Sequence, residues 1–250
     1  MSRVHKKTAR FRFYEELNDF LSAPLRKSEF TYRFSGAPSV KDAIEAIGIP
    51  HTEVDIIIVD GASVGFDYHL RDGDRIGVYP VFESLDVTPL VRLRPSPLRR
   101  VRFVADVHLG KLARLLRLLG FDTVYERTLG DREIIEISVC EKRIILTRDR
   151  GLLKNSAVQH GYCVRSERPI QQAREVYRRF ELESGLKPFH RCLVCNGRLV
   201  SVAKEDVQDR LPKKTAEHFG EFFRCDRCGK VYWKGSHFDR LKMSVQAIAD

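Results

Sequence analysis

The sequence predicts an α/β domain on a parallel sheet, set between a strand-rich module and a small cysteine-bearing ribbon. Three observations lead there. Strand and helix patterns alternate from residue 101 to about 183, the arrangement that builds a parallel sheet flanked by helices. Residues 1–83 run hairpin, helix, strand, turn, strand. Beyond the α/β stretch, four of the six cysteines fall into two Cys-x-x-Cys pairs. A length of 250 residues exceeds one ordinary domain of roughly 100 to 200 residues, so several units are expected.

In the first module, residues 8–14 alternate Ala9, Phe11 and Phe13 with polar neighbours, and 29–34 alternate Phe30, Tyr32 and Phe34. Each reads as a half-buried strand, and the two as a hairpin. Ser39, after a Gly- and Pro-containing break, can cap a helix over 40–47 whose Val40, Ala43, Ile44 and Ile47 share a face. The β-branched run 54–59 suits a strand buried on both faces, and Asp72-Gly73-Asp74 is a turn into a strand over 75–81. This order is a β-grasp, and the segments SVKDAIEAIGIPHTEVDIIIVDG and LRDGDRIGVYPVFE resemble the ubiquitin-like domain of the small sulfur-carrier type. Such carriers act through a terminal Gly-Gly. Here Tyr79-Pro80-Val81-Phe82-Glu83 runs into further chain, so a packing module or a dock for a protein partner is expected instead.

Residues 84–100 carry Pro89, Pro95 and Pro97 with Arg92, Arg94, Arg99 and Arg100, a composition that resists helix and sheet and marks a linker. The α/β domain follows over 101–185. A short apolar strand, 101–105, ends at Asp106, and a helix over 108–119 buries Leu109, Leu112, Leu115, Leu116 and Leu119. Lys111, Arg114 and Arg117 recur every third residue along that helix, beside the acid that ends the strand, where a phosphodiester backbone would gain charge-assisted contacts. A basic helix face is more commonly just solvated. Further strands are expected at 123–125, 143–147 and 162–165, with helices at 131–142 and 170–181 and a short segment at 151–158.

Ligands in open parallel sheets bind outside the carboxyl ends of the strands, where Asp106 and Asp149 fall; Asp131 opens the intervening helix. Three converging carboxylates repel one another unless a cation sits among them, and hard oxygen donors suit Mg²⁺ or Mn²⁺. Such an ion activates water for phosphodiester hydrolysis. Each acid also has a local use: Asp131 as a first-turn helix acid, Asp149 as a cap for the segment at 151, Asp106 as the start of the Leu-rich helix. Glu133 is a second-choice ligand or orienting group.

The segments FVADVHLGKLARLLRLLGFDTVYE, DREIIEIS and RIILTRDRGLLK resemble the PIN-like ribonuclease domain of the Mut-seven C-terminal RNase family, many members of which carry the same β-grasp module in front and a zinc ribbon behind. The resemblance implies a PIN-type active site with Asp106, Asp131 and Asp149 as metal-binding acids, and places His108, Lys111 and Arg148 beside them.

In the ribbon, 186–250, Cys192-Leu193-Val194-Cys195-Asn196-Gly197 and Cys225-Asp226-Arg227-Cys228-Gly229-Lys230 are two knuckles, expected to complete a closed, structural Cys₄ zinc site. The 29 residues between them exceed compact ribbon spacing, and 204–219 is expected as a polar, partly helical excursion. Cys140 and Cys163 read as buried core thiols. Phe222, Phe223, Tyr232 and Trp233 alternate with Arg224, Arg227, Lys230 and Lys234, which suits stacking on single-stranded RNA; Phe223 and Tyr232 are more simply the ribbon's own core.

The net charge of +10 and pI near 9.4 favour polyanionic partners. No apolar run follows the basic N-terminus, and paired cysteines suit a reducing compartment, so a cytoplasmic, membrane-free protein is expected. Two function classes fit the same residues. One is a metal-dependent ribonuclease acting on single-stranded or structured RNA; the other is an RNA-binding adaptor that keeps the fold without turnover.

Overall fold

A computed structural model describes residues 6–80, 93 and 101–250. The linker expected at 84–100 lies, apart from Leu93, outside the described residues. The chain forms two compact units, Met1–Leu98 with Asp149–Cys163, and Arg99–Arg148 with Val164–Asp250.

The first unit opens with β1 (Lys7–Phe13) and β2 (Phe30–Phe34), paired antiparallel as their alternation requires. Helix α1 (Val40–Ile47) starts where the Ser39 hydroxyl accepts from the Asp42 N–H at 3.1 Å, and it buries Val40, Ala43 and Ile44. Strands β3 (Val54–Val59), β4 (Ala62–Val64) and β5 (Arg75–Pro80) complete a sheet of order β2-β1-β5-β3-β4, with β1 and β5 parallel. This is the ubiquitin-like arrangement, with Phe11, Phe13, Ile44, Ile57 and Val78 in its core. Strand β4 is absent from the sequence reading. Its turn, Asp60-Gly61, has positive φ at both residues (48° and 87°), the backbone that closes a two-residue hairpin without splaying the strands.

In the second unit, β6 (Phe103–Ala105) leads through a short turn into α2 (Gly110–Leu118), then β7 (Thr123–Val124), α3 (Asp131–Glu141) and β8 (Ile144–Thr147). β6 pairs in parallel with β7 on one side and β8 on the other. Every residue of β6 and β8 is buried, as strands covered on both faces should be. Gly110 has a steric reason: a Cβ there would stand 2.5 Å from the Tyr125 hydroxyl, which donates to the Val107 carbonyl at 3.1 Å.

The chain then returns to the first unit through α4 (Arg150–Leu153) and β9 (Gly161–Cys163). Specific bonds hold this segment there. The Cys163 N–H donates to the buried Glu53 carboxylate at 2.7 Å, Lys154 Nζ to the Glu45 carbonyl at 2.6 Å, and Arg150 Nη1 to the Phe20 carbonyl at 3.2 Å. His51 lies with Nε2 3.0 Å from the Val158 carbonyl and Nδ1 2.6 Å from the Glu45 carboxylate.

Back in the second unit come α5 (Pro169–Arg179), β10 (Leu199–Val202), α6 (Lys213–His218), β11 (Phe222–Cys225), β12 (Val231–Trp233) and α7 (Phe238–Ala249). Strands β10, β11 and β12 form an antiparallel ribbon, and α7 packs along α5. Within the excursion expected at 204–219, only a short helix, α6, forms beside a single turn at Gln208–Arg210. Cys163 is buried as expected; Cys140 is exposed, because its face of α3 points to solvent with Val139. Among the described residues no helix is long and apolar enough to cross a membrane.

Candidate metal centre and acidic site

The two knuckles fold alike. Cys192 donates its N–H to the Gly197 carbonyl at 2.8 Å and accepts from the Asn196 N–H at 3.0 Å; Cys225 makes the matching pair with Lys230 and Gly229 at 2.9 and 3.1 Å. The residue after each second cysteine is left-handed: Asn196 at φ 66° and Gly229 at φ 70°. Asparagine tolerates that backbone better than other side chains do. Gly197 serves a different purpose, since a Cβ there would come 2.6 Å from the Cys225 sulfur. The ligand atoms of Cys192, Cys195, Cys225 and Cys228 all lie within 4.8 Å of one another, with Sγ separations of 3.6 Å for Cys192–Cys228 and 3.3 Å for Cys195–Cys225. A tetrahedron with metal–sulfur bonds near 2.3 Å has edges of about 3.8 Å, so the four thiols fit a thiophilic ion such as zinc.

The Tyr232 hydroxyl donates to Cys192 Sγ and accepts from the Leu193 N–H, both at 3.1 Å. Burial pushes the Cys192 thiol up, but hydrogen bonds from Tyr232, from backbone N–H groups and from Cys228 outweigh it and bring the thiol down to about 6. The Tyr232 phenol moves the other way, raised by burial and then by its bond to Cys192. Tyr232 therefore orients a ligand rather than simply filling the ribbon core. The fully buried aromatic is Phe222; Phe223 is half-buried.

Asp106 directly follows β6, is only 6% exposed, and accepts a hydrogen bond at Oδ2 from Thr147 Oγ1 at 2.6 Å. Thr147 is the last residue of β8, so two adjacent parallel strands end in one hydrogen-bonded pair. Its hydroxyl, two residues before Asp149 in the string RIILTRD, is the sequence signal for this pair. Asp131 stands exposed on the first turn of α3 in the same unit. Glu133 accepts from the Gly130 N–H at 2.8 Å, an N-terminal capping contact. Asp149 belongs to the other unit, where it caps α4 by accepting from the Gly151 N–H at 2.6 Å. Among the described residues, the four cysteines are the one group of three or more His, Cys, Asp or Glu whose ligand atoms stand close enough to share an ion; the aspartates form no such group.

Of the basic residues, His108, Lys111 and Arg114 are exposed, and Arg148 lies 3.7 Å from Glu167 in a solvent-facing pair. Arg117 departs from the expected row of surface cations. It is 4% exposed, and its guanidinium donates to the carbonyls of Thr123 at 2.9 Å and Val194 at 2.8 Å, with Tyr125 and Leu193 at 3.4 Å. A helix turns 100° per residue, so a step of three drifts about 60° backward per repeat and carries the third residue off the solvent face. Burial lowers the Arg117 pKa, partly offset by neighbouring Cys192, Cys195 and Asp122.

Arg117 is part of a polar weld between the first knuckle and the sheet edge. Asn196 accepts from the Thr123 N–H at 3.1 Å and donates to Asp122 Oδ1 at 2.7 Å; Arg143 donates to the same oxygen at 2.7 Å, and Arg191 lies 3.4 Å from Oδ2. Burial alone would raise the Asp122 carboxyl, but the bonds from Arg143 and Asn196 and the charges of Arg143 and Arg191 hold it below its ordinary value.

A ubiquitin-like first domain, a parallel-sheet α/β core and a four-cysteine ribbon define a class of chain rather than one activity. Family models narrow it: the Mut7-C RNAse domain matches residues 101–245, and Mut7-C ubiquitin matches residues 6–86. The chain belongs to the Mut7-C RNAse family. No curated protein and no solved structure matches it.

Proposed function

We propose that this chain is a metal-dependent ribonuclease whose reacting phosphate lies at the carboxyl ends of β6 and β8. The observation that carries the reading is Asp106: a carboxylate buried at a parallel strand end, held by Thr147, inside a domain of an RNase family. Burying an acid there is costly without a partner for its charge. Asp131, exposed on the first turn of α3 in the same unit, is the second hard-oxygen donor in this proposal and Asp149 the third; Mg²⁺ or Mn²⁺ held by them would supply Lewis-acid charge and make a bound water more acidic. Thr147 fixes the Asp106 carboxylate, and Lys111 and Arg114 on α2 neutralise substrate phosphates. The four thiolates hold zinc in a closed, structural role. RNA, single-stranded or structured, is the substrate, and the ubiquitin-like domain receives a protein partner.

A second reading, an RNA-binding adaptor without turnover, is favoured by the exposed, ungathered state of Asp131 and the local capping role of Asp149. One experiment separates the two. Purified protein is incubated with mixed RNA with and without added Mg²⁺ or Mn²⁺, beside the Asp106→Asn variant. Fragments that need the added ion and vanish in the variant support the ribonuclease. Equal cutting by the variant rules out this site, and RNA binding without fragments leaves the adaptor.

A further inference from the structure

The ribbon, α7 and the side of α2 that carries Arg114 and Leu118 line an open cavity of about 450 Å³, within the roughly 300–1,000 Å³ of small-ligand pockets. Its walls are aromatic and aliphatic: Phe189 and Phe238, whose ring centroids are 4.7 Å apart, with Trp233, Phe223 and Leu241. Arg114, Arg191, Lys230 and Lys234 are the charged residues of the lining, and no carboxylate lines it. Arg191 is engaged with Asp122 and Lys234 with Glu221 at 2.6 Å, whereas among the described residues Arg114 and Lys230 have no ion-pair partner. An apolar slot walled by flat rings and rimmed by unneutralised cations matches one chemistry: a π-faced base attached to a phosphate.

Arg114 ties the cavity to the acidic site. It lies eight residues beyond Asp106, on the helix that begins four residues after that acid, so helical rise separates the two by on the order of 10 Å. A strand with one nucleotide in the cavity and its phosphate on Arg114 would run along Lys111 toward Asp106. We infer that the cavity is a base-binding subsite, which takes one unpaired nucleotide of an RNA strand and sets the distance from that nucleotide to the phosphate at Asp106. The inference rests on the ribonuclease reading and adds to it a requirement for an unpaired base.

Trp233 is the chain's single tryptophan and a wall of the cavity, so its emission reports occupancy directly. The probe is a 2′-O-methyl RNA hexamer, which resists cleavage, titrated into the full-length protein and into Asp106→Asn, with an all-abasic hexamer of the same backbone as control. The expected result is saturable change of Trp233 emission by the hexamer in both proteins, with affinity for the abasic control about tenfold weaker. Arg114→Glu and Lys230→Glu, both on exposed side chains, should each weaken the hexamer by roughly tenfold. Phe238→Ala should remove the advantage of the hexamer over the abasic strand. Equal binding of the two strands, or hexamer binding seen by anisotropy with Trp233 emission unchanged, overturns the subsite. So does an emission change produced by an acidic, apolar peptide and not by RNA, which would make the cavity a protein dock. Cleavage is scored separately: fragments without a Trp233 response leave the ribonuclease standing and remove the subsite, and a response without fragments does the reverse.

Discussion

The four cysteines and the three aspartates are both sets of would-be ligands, and the chain builds them in opposite ways. The cysteines come as two short turns on one antiparallel ribbon, and each turn holds its own pair through the same two backbone hydrogen bonds. The aspartates sit on three elements divided between two compact units, and each has its own setting: a cross-strand Thr147 bond for Asp106, a helix start for Asp131, a cap for Asp149. Local turns can preform a metal site; carboxylates delivered by separate elements depend on what the ion, the substrate and the fold contribute together. Closed structural sites and open catalytic ones differ in the same sense.

The largest effect should come from breaking the preformed set. Cys195→Ser with Cys228→Ser takes one ligand from each knuckle; elemental analysis should show bound zinc falling from one per chain to near zero, with loss of the ribbon's fixed Trp233 emission, because structural zinc contributes roughly 10 kcal/mol or more. Next in size is Asp106→Asn, which should lower RNA cleavage about a thousandfold, near 4 kcal/mol of barrier, while the thermal midpoint moves by only a few degrees. A large fall in the midpoint instead would make Asp106 a structural acid like any other.

Asn196→Ala tests whether the preformed site depends on its weld to the sheet. It strands the buried Thr123 N–H and puts alanine at φ 66°, and should cost about 2–3 kcal/mol in denaturant unfolding. The smallest effect is one of pH. Because the folded Asp122 carboxyl lies below its ordinary value, its contribution is complete above an unfolded pKa of about 4 and is lost as pH falls through the lower folded value. Unfolding midpoints taken from pH 6 to 3 should therefore fall more steeply in the wild type than in Asp122→Asn; parallel curves would show that the weld does not depend on this charge.

Much of the fold was legible because its signals are local and periodic. The Ser39-capped helix, the alternating β1 and β2 strands, the leucine stripe of α2 and both cysteine knuckles follow from spacing alone. What escaped is what depends on tertiary partners. Arg117 reads as one of three surface cations, but its use as a buried clamp on the Val194 carbonyl is set 77 residues away. Thr147 reads as an ordinary strand residue until β8 is placed beside β6. Asp122 belongs to no motif and Asn196 reads only as a knuckle residue; their bond exists only where the ribbon meets the sheet edge. Of the acidic site, the residue types at the strand ends were readable; whether the acids stand together was not, since no periodicity encodes it.

The first compact unit is discontinuous, and that shapes how it can be made. Its core strands emerge early in synthesis, but the backbone N–H of Cys163 that meets Glu53, and the Val158 carbonyl that meets His51, come only after the stretch 99–148 has been translated. At ~5–20 residues per second, that interval lasts roughly 3–10 s. Throughout it the nascent module lacks the two backbone groups that Glu53 and His51 meet in the finished fold, so the segment that closes this unit is the last part of it to be made.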